Sequence, residues 1–148
     1  MGEAVFYQLG DALAEDVLPR LLDRAAQAGW RVELRGTDRA RMEALDLALW
    51  TDGFRPHGLA GGPHDDLQPV LLTTGPTGGC DCLVALDGAE VEPAEAAGLK
   101  RVLVVFGPED LATARAQWRA LTAAGLSARF FEQADGAWAL RRESPARA

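Results

Sequence analysis

Short apolar runs alternate with amphipathic segments along the chain, and this alternation predicts the order of its elements. Strands are predicted at residues 4–7, 30–34, 70–73, 83–86, 101–106 and 126–132, with a further candidate around 138–140. Helices are predicted at residues 12–28, 38–50 and 108–124, with one or two helical turns at 92–99. Strands that alternate with helices are typical of an α/β domain with a mainly parallel sheet. We therefore expect a Rossmann-like sheet with helices on both of its faces.

Glycine and proline mark the ends of these helices. Gly29 and Gly125 follow the first and last helical segments and are expected to end them. Pro19 fits the first helix if the regular helix begins near Asp16, because a proline in the first turn removes no intrahelical hydrogen bond.

The chain of 148 residues has the length of one compact domain. We assign residues 1–140 to this domain and interpret residues 141–148, RRESPARA, as a polar C-terminal tail. Residues 51–69 are rich in Gly, Pro, His and Asp and are expected to form one long surface loop.

The charge distribution limits the possible partners. The net charge is −7, which argues against strong direct binding of DNA. Residues 1–107 carry nine cations and seventeen anions, whereas residues 108–148 carry six cations and five anions. An acidic partner is therefore expected to dock on the C-terminal third. We find no secretory signal and no stretch long enough to span a membrane, so the expected compartment is the cytoplasm.

Motifs for catalysis or cofactor binding are weak. The turn after the first strand has one glycine, Gly10, and the Gly-rich loop at residues 74–79 leads into a strand, not a helix. Cys80 and Cys82 could hold a metal or cycle between redox states, with His57 and His64 as further ligands. The simpler interpretation is two small residues at the start of a strand. We predict no cofactor and no catalytic residue.

Several segments together resemble a known family. They are Phe6-Tyr7-x-Leu9, Gly29-Trp30-Arg31-Val32, Leu45-x3-Leu49-Trp50, Phe54-x-Pro56-His57-x-Leu59-Ala60, Pro69-Val70-Leu71-Leu72-Thr73 and Arg115-x2-Trp118-Arg119-x5-Gly125. The sequence resembles the chi subunit of bacterial DNA polymerase III holoenzyme over nearly its whole length, to about Trp138.

The resemblance implies a non-catalytic clamp-loader accessory with an α/β fold of the Rossmann type. Such proteins link the polymerase complex to single-stranded-DNA-binding protein by gripping its acidic C-terminal tail, which ends in a phenylalanine carboxylate. They contact DNA only indirectly, and a second surface binds the psi subunit or a helicase.

The resemblance also implies two sets of site residues. Arg115 matches the arginine that pairs with the terminal carboxylate, Trp118 stands where the family usually has a tyrosine, and Arg119 matches a neighbouring cation. The aromatic pair on the psi or helicase surface, with the residues that shape its loop, corresponds to Trp50, Phe54, Pro56 and His57.

The residue spacing on the last predicted helix agrees with the assignment of Arg115, Trp118 and Arg119 to one site. Arg115 and Arg119 are four residues apart and Trp118 is three from Arg115, so all three are neighbours on a helix. A guanidinium pairs with a carboxylate through two hydrogen bonds. Trp118 also belongs to an apolar stripe and could simply be a core residue with a solvated arginine rim. The alternative function is a nucleotide-dependent enzyme on a Rossmann-like sheet, and a third is a small redox or metal protein using Cys80 and Cys82.

Overall fold

The computed structural model describes residues 2–51 and 57–146. Within these residues the strands are β1 (Glu3–Gln8), β2 (Val32–Arg35), β3 (Gly58–Leu59), β4 (Val70–Thr73), β5 (Cys82–Leu86), β6 (Arg101–Phe106), β7 (Ser127–Ala134) and β8 (Ala137–Ser144). The helices are α1 (Ala14–Gln27), α2 (Arg39–Thr51), α3 (Pro93–Ala97) and α4 (Leu111–Ala123). Short 3-10 turns occur at Asp65–Leu67 and Pro108–Asp110.

The described strands form a single sheet in the order β3-β4-β2-β5-β6-β1-β7-β8. Every neighbouring pair is parallel except β7 and β8, which are antiparallel. The predicted α/β domain with a mainly parallel sheet is therefore confirmed.

Alternate residues of the central strands contribute to two separate hydrophobic clusters. Val5 of β1 packs in the cluster that contains buried residues of α1 and α2. Its neighbours Ala4 and Phe6 pack in the cluster that contains buried residues of α3 and α4. This division follows from strand geometry, because successive side chains point to opposite sides of a sheet.

The first helix begins earlier than its proline predicts. α1 starts at Ala14, so Pro19 lies inside the helix and not in its first turn. The carboxylate of Asp16 accepts a hydrogen bond of 3.0 Å from the backbone N–H of Leu13, which satisfies one free donor at the helix start. Asp16 is thus the third residue of the helix, and the predicted start near Asp16 was wrong.

The predicted polar tail is also wrong in its first half. Residues 141–144 belong to β8, which pairs with β7 from Ala137 to Ser144. β8 is the last strand in the sheet order and is largely exposed. The strand candidate predicted around 138–140 is confirmed as the first part of β8. Because an exposed edge strand needs no apolar face, the arginines and the glutamate that follow hid the rest of the strand from the hydrophobic pattern. The domain therefore extends past residue 140.

The long loop predicted at residues 51–69 contains a small amount of regular structure. Gly58 and Leu59 pair with β4 as a two-residue edge strand, and the backbone N–H of Ala60 donates to the carbonyl of Leu72 at 2.8 Å. Among the described residues, no helix is long and apolar enough to cross a membrane.

Candidate functional site

The last helix divides its residues between the core and the surface. Ala114, Trp118 and Leu121 are buried, and Trp118 is only 5% exposed. Arg115 and Arg119 are exposed next to them on the same helix. Trp118 is thus a core residue, as its place in the apolar stripe indicates.

Aromatic rings hold Trp118 in place. Its ring centre is 5.4 Å from that of Phe6 and 6.1 Å from that of Phe130. The Phe130 ring meets it edge to face, an arrangement that adds to the stabilisation from burial. β1 and β7 therefore fix the orientation of the indole at the base of α4.

A cavity of about 340 Å³ opens beside this indole. Its lining residues are Arg115, Trp118, Arg119, Phe130, Arg141 and Arg142. The structure thus brings together Arg115, Trp118 and Arg119, the three residues that the resemblance assigns to a tail-binding surface. Its size lies at the lower end of the range of about 300–1,000 Å³ for small-ligand pockets.

Sequence reasoning missed Phe130, Arg141 and Arg142, which β7 and β8 bring to the cavity. A usable signal was the dipeptide Asp135-Gly136 between two strand-like runs, a strong indicator of a two-residue hairpin. Both residues have positive φ, 52° and 77°, as a type I′ turn requires. That turn folds the supposed tail back along β7.

The cavity is strongly cationic. Its lining includes four guanidinium groups and no carboxylate. Within residues 2–51 and 57–146, Arg115, Arg119 and Arg142 form no ion pair, and Arg141 contacts Glu132 at 3.1 Å. The guanidinium of Arg142 lies 5.4 Å from the centre of the Trp118 ring, within cation–π range. Three of the four arginines can therefore pair with an anion without breaking an ion pair between described residues.

The second predicted surface is described only in part. Phe54 and Pro56 lie outside the described residues. Trp50 is 42% exposed at the end of α2, and Leu47, three residues earlier on the same helix, is 68% exposed. Two large apolar side chains at this spacing are neighbours on the helix surface.

His57 lies beneath that surface. It is buried, and its ring centre is 4.1 Å from that of Trp50. Its Nε2 is 3.0 Å from the carbonyl oxygen and 3.1 Å from the Oδ1 of Asp46. His57 therefore supports Trp50 from the inside of the fold.

The structure does not favour the redox and metal alternatives for the cysteines. Cys82 is buried at the start of β5, and burial raises the pKa of its thiol to about 12, so the reactive thiolate is scarce at neutral pH. Burial also raises the pKa of Cys80. Among the residues that the structure describes, no three His, Cys, Asp or Glu side chains are grouped as metal ligands.

Each of the two loops considered for a nucleotide uses at least one of its donors internally. The backbone N–H of Gly10 donates to Gln133 Oε1 at 2.9 Å. In the Gly-rich loop, the hydroxyl of Thr77 donates to Glu33 Oε1 at 2.9 Å. A phosphate that used the donors of Thr77 would have to displace this carboxylate.

The fold and the site define a class of protein: an α/β domain with a cationic, aromatic-lined cavity suited to an anionic ligand. The chain matches the family described as "DNA polymerase III chi subunit, HolC" over residues 1–129. It therefore belongs to the chi subunit family of DNA polymerase III.

Among solved structures, the chain is similar to the C-terminal domain of a possible DNA helicase from Lactobacillus plantarum WCFS1. The identity is 16%, the TM-score is 0.51, and the match covers 72% of this chain and 73% of the other. At this identity the similarity concerns the fold alone. No curated protein matches the chain significantly.

Proposed function

We propose that the chain is a non-catalytic accessory subunit of the clamp loader that tethers DNA polymerase III to single-stranded-DNA-binding protein. It does so by binding the acidic C-terminal tail of that protein in the cavity beside α4. The observation that carries this proposal is Arg115, exposed at an aromatic-lined cavity and without an ion pair among the described residues.

The cavity offers complementary groups for such a tail. A guanidinium pairs with a terminal carboxylate through two parallel hydrogen bonds, which suits Arg115, and Arg119 lies one helical turn away. Trp118 and Phe130 provide an apolar wall for the terminal phenylalanine ring. An acidic tail is also repelled less here than elsewhere on a chain of net charge −7.

A tether needs a second, separate contact. We place it at the exposed pair Leu47 and Trp50 of α2, with His57 beneath and together with the predicted residues Phe54 and Pro56, as the surface for the psi subunit or a helicase. α2 contributes to one hydrophobic cluster and α4 to the other, which supports a Rossmann-type layering with helices on both faces of the sheet. The two partners would then bind opposite faces without competing.

In this account the protein works in the cytoplasm, approaches DNA only through its partners and needs no cofactor. Its effect is to raise the local concentration of the polymerase machinery at coated single strands. A weak peptide contact is sufficient for this purpose, because the linked contacts add avidity.

The test is the binding of the peptide Asp-Asp-Ile-Pro-Phe with a free C-terminus. We expect micromolar affinity that weakens with salt, and a loss of about 30-fold or more for Arg115→Ala. Arg20→Ala is the matched control, because Arg20 is exposed on α1, which packs in the other cluster. If Arg115→Ala binds the peptide as well as the wild type, the proposed site is wrong.

A further inference from the structure

Two of the four arginines at the cavity come from β8, beyond the region that the family match covers. The match ends at residue 129, whereas Arg141 and Arg142 lie in the terminal strand. Together with Arg115 and Arg119 of α4 they surround one opening. The site therefore has a second cationic group, contributed by β8, next to the one on α4.

An irregularity in the hairpin directs both added arginines to the same place. The pairing shifts between Phe130, which is paired with Arg142, and Phe131, which is paired with Leu140, so Arg141 is an extra residue with no place in the backbone register of β7. In a regular strand, two consecutive side chains point to opposite faces. A bulge breaks this alternation and often re-aims a side chain next to a functional site.

The surroundings of Arg142 hold its guanidinium in position for a ligand. It lies over the Trp118 ring, 5.4 Å from the ring centre, and its residue is paired with Phe130 on the neighbouring strand β7. A guanidinium stacked on a ring keeps its in-plane N–H groups available as donors. Among the described residues it forms no ion pair, so these donors are not used by a carboxylate of the chain itself.

One carboxylate cannot satisfy four guanidiniums, since its two oxygens pair with one or two of them. Arg141 contacts Glu132 through its Nε at 3.1 Å, which leaves the N–H groups of its two terminal nitrogens for a ligand. We infer that the β8 arginines, Arg141 and Arg142, form a second anion subsite that binds the side-chain carboxylates upstream of the terminal carboxylate in an acidic peptide. This inference rests on the proposed function. It makes β8 a determinant of specificity for peptides that carry acids as well as a free terminus.

The test is a binding cycle between protein and peptide. The protein forms are the wild type, Arg141→Gln Arg142→Gln, and Arg115→Ala, with Arg20→Gln as a control for loss of an exposed charge. The peptides are Asp-Asp-Ile-Pro-Phe, Asn-Asn-Ile-Pro-Phe and the C-terminal amide of the first. Binding is measured by fluorescence anisotropy at fixed ionic strength, with the Tm of each variant determined alongside.

We expect the double variant to bind the Asp-Asp peptide about fivefold more weakly than the wild type, as for partly exposed charged contacts. The wild type should bind the Asn-Asn peptide about fivefold more weakly than the Asp-Asp peptide. The double variant should bind the Asn-Asn peptide as well as the wild type does, because the interacting carboxylates are already absent. The amidated peptide has no terminal carboxylate for Arg115 to bind. The wild type and Arg115→Ala should therefore bind it with the same affinity.

The β8 subsite would be overturned if the double variant lost the same affinity for the Asp-Asp and the Asn-Asn peptide, or lost affinity for neither. Arg115→Ala would still test the primary site in that case. If the wild type binds none of the peptides, the proposed function fails and this inference with it. Arg141→Gln alone leaves the contact between Arg142 and Trp118 in place, so it keeps the test available if the double variant has a lowered Tm.

Discussion

Two groups of arginines in this protein have opposite surroundings. Arg35 of β2 is buried, with its side chain 4% exposed, and all its hydrogen bonds are to groups of the chain itself. It donates to Glu33 at 2.7 Å, to both oxygens of Glu95 at 2.9 and 2.7 Å, and to the carbonyl of Glu90. The cavity arginines Arg115, Arg119 and Arg142 have no ion pair within the described residues.

The difference separates arginines that hold the fold from arginines that are available to a ligand. A charge that is taken out of water needs its partners, so Arg35 and its carboxylates form one closed structural group. An exposed arginine beside an aromatic cavity has donors to offer another molecule. Substitutions in one group of arginines at a time should therefore separate effects on stability from effects on binding.

The largest effect is expected for Arg35→Met. The substitution leaves Glu33, whose side chain is 2% exposed, without its cation, and removal of one partner of a buried pair costs about 3–5 kcal/mol. Urea unfolding should show this loss of free energy. The double variant Arg35→Met Glu33→Met is the control and should recover part of it, since no unpaired buried charge remains. A loss below about 1 kcal/mol for the single variant would show that the network is not structural.

Acid should weaken the stabilisation that the contact between Arg35 and Glu95 provides. The hydrogen bond from Arg35 lowers the pKa of Glu95 below its usual 4.5. The resulting stabilisation is fully present above pH 4.5 and is lost as pH falls through the lowered pKa of the folded state. In Glu95→Gln, the stability measured by urea unfolding between pH 5 and 3 should therefore decline less steeply than in the wild type. Parallel profiles would contradict the role of Glu95.

The cavity arginines should behave differently. Arg115→Ala and Arg119→Ala are expected to change the free energy of unfolding by no more than about 0.5 kcal/mol, as for surface substitutions that break no internal contact. Each also relieves repulsion between like charges one helical turn apart. If either variant lost about 2 kcal/mol or more of its free energy of unfolding, these arginines would be structural like Arg35.

The smallest effect concerns nucleotides. Thr77 and Thr73 both donate to Glu33 at 2.9 Å, so the polar group around Arg35 is already satisfied without a ligand. ATP or NAD at millimolar concentration should therefore leave the Tm unchanged. A clear rise in Tm would favour the nucleotide-dependent enzyme.

The sequence predicted most of the fold because buried parallel strands and amphipathic helices have strong periodic signals. The run at β6 and the stripe on α4 are examples, and both lie where the pattern places them. β8 carries only a short apolar signal, the strand candidate at residues 138–140, since an exposed edge strand has little to bury. The turn residues Asp135 and Gly136 also mark its start.

The candidate site also has a part that the sequence predicts and a part that it does not. Arg115, Trp118 and Arg119 lie on one helix, so their spacing alone brings them together. Arg141 and Arg142 reach them only through a hairpin and a bulge, which are set by pairing with β7. Likewise, nothing in the sequence shows that Arg35 is buried and paired with Glu95, sixty residues away. Such contacts depend on strand order, which local patterns do not specify.

The central claim is that an acidic peptide binds the unpaired arginines and not the buried one. It is tested most directly by the ¹H–¹⁵N spectrum of the arginine Nε–H groups during titration with Asp-Asp-Ile-Pro-Phe. The account predicts that the signals of Arg115 and Arg142 shift with the same saturation curve while that of Arg35 stays constant. Unchanged signals from the cavity arginines at saturating peptide would contradict it.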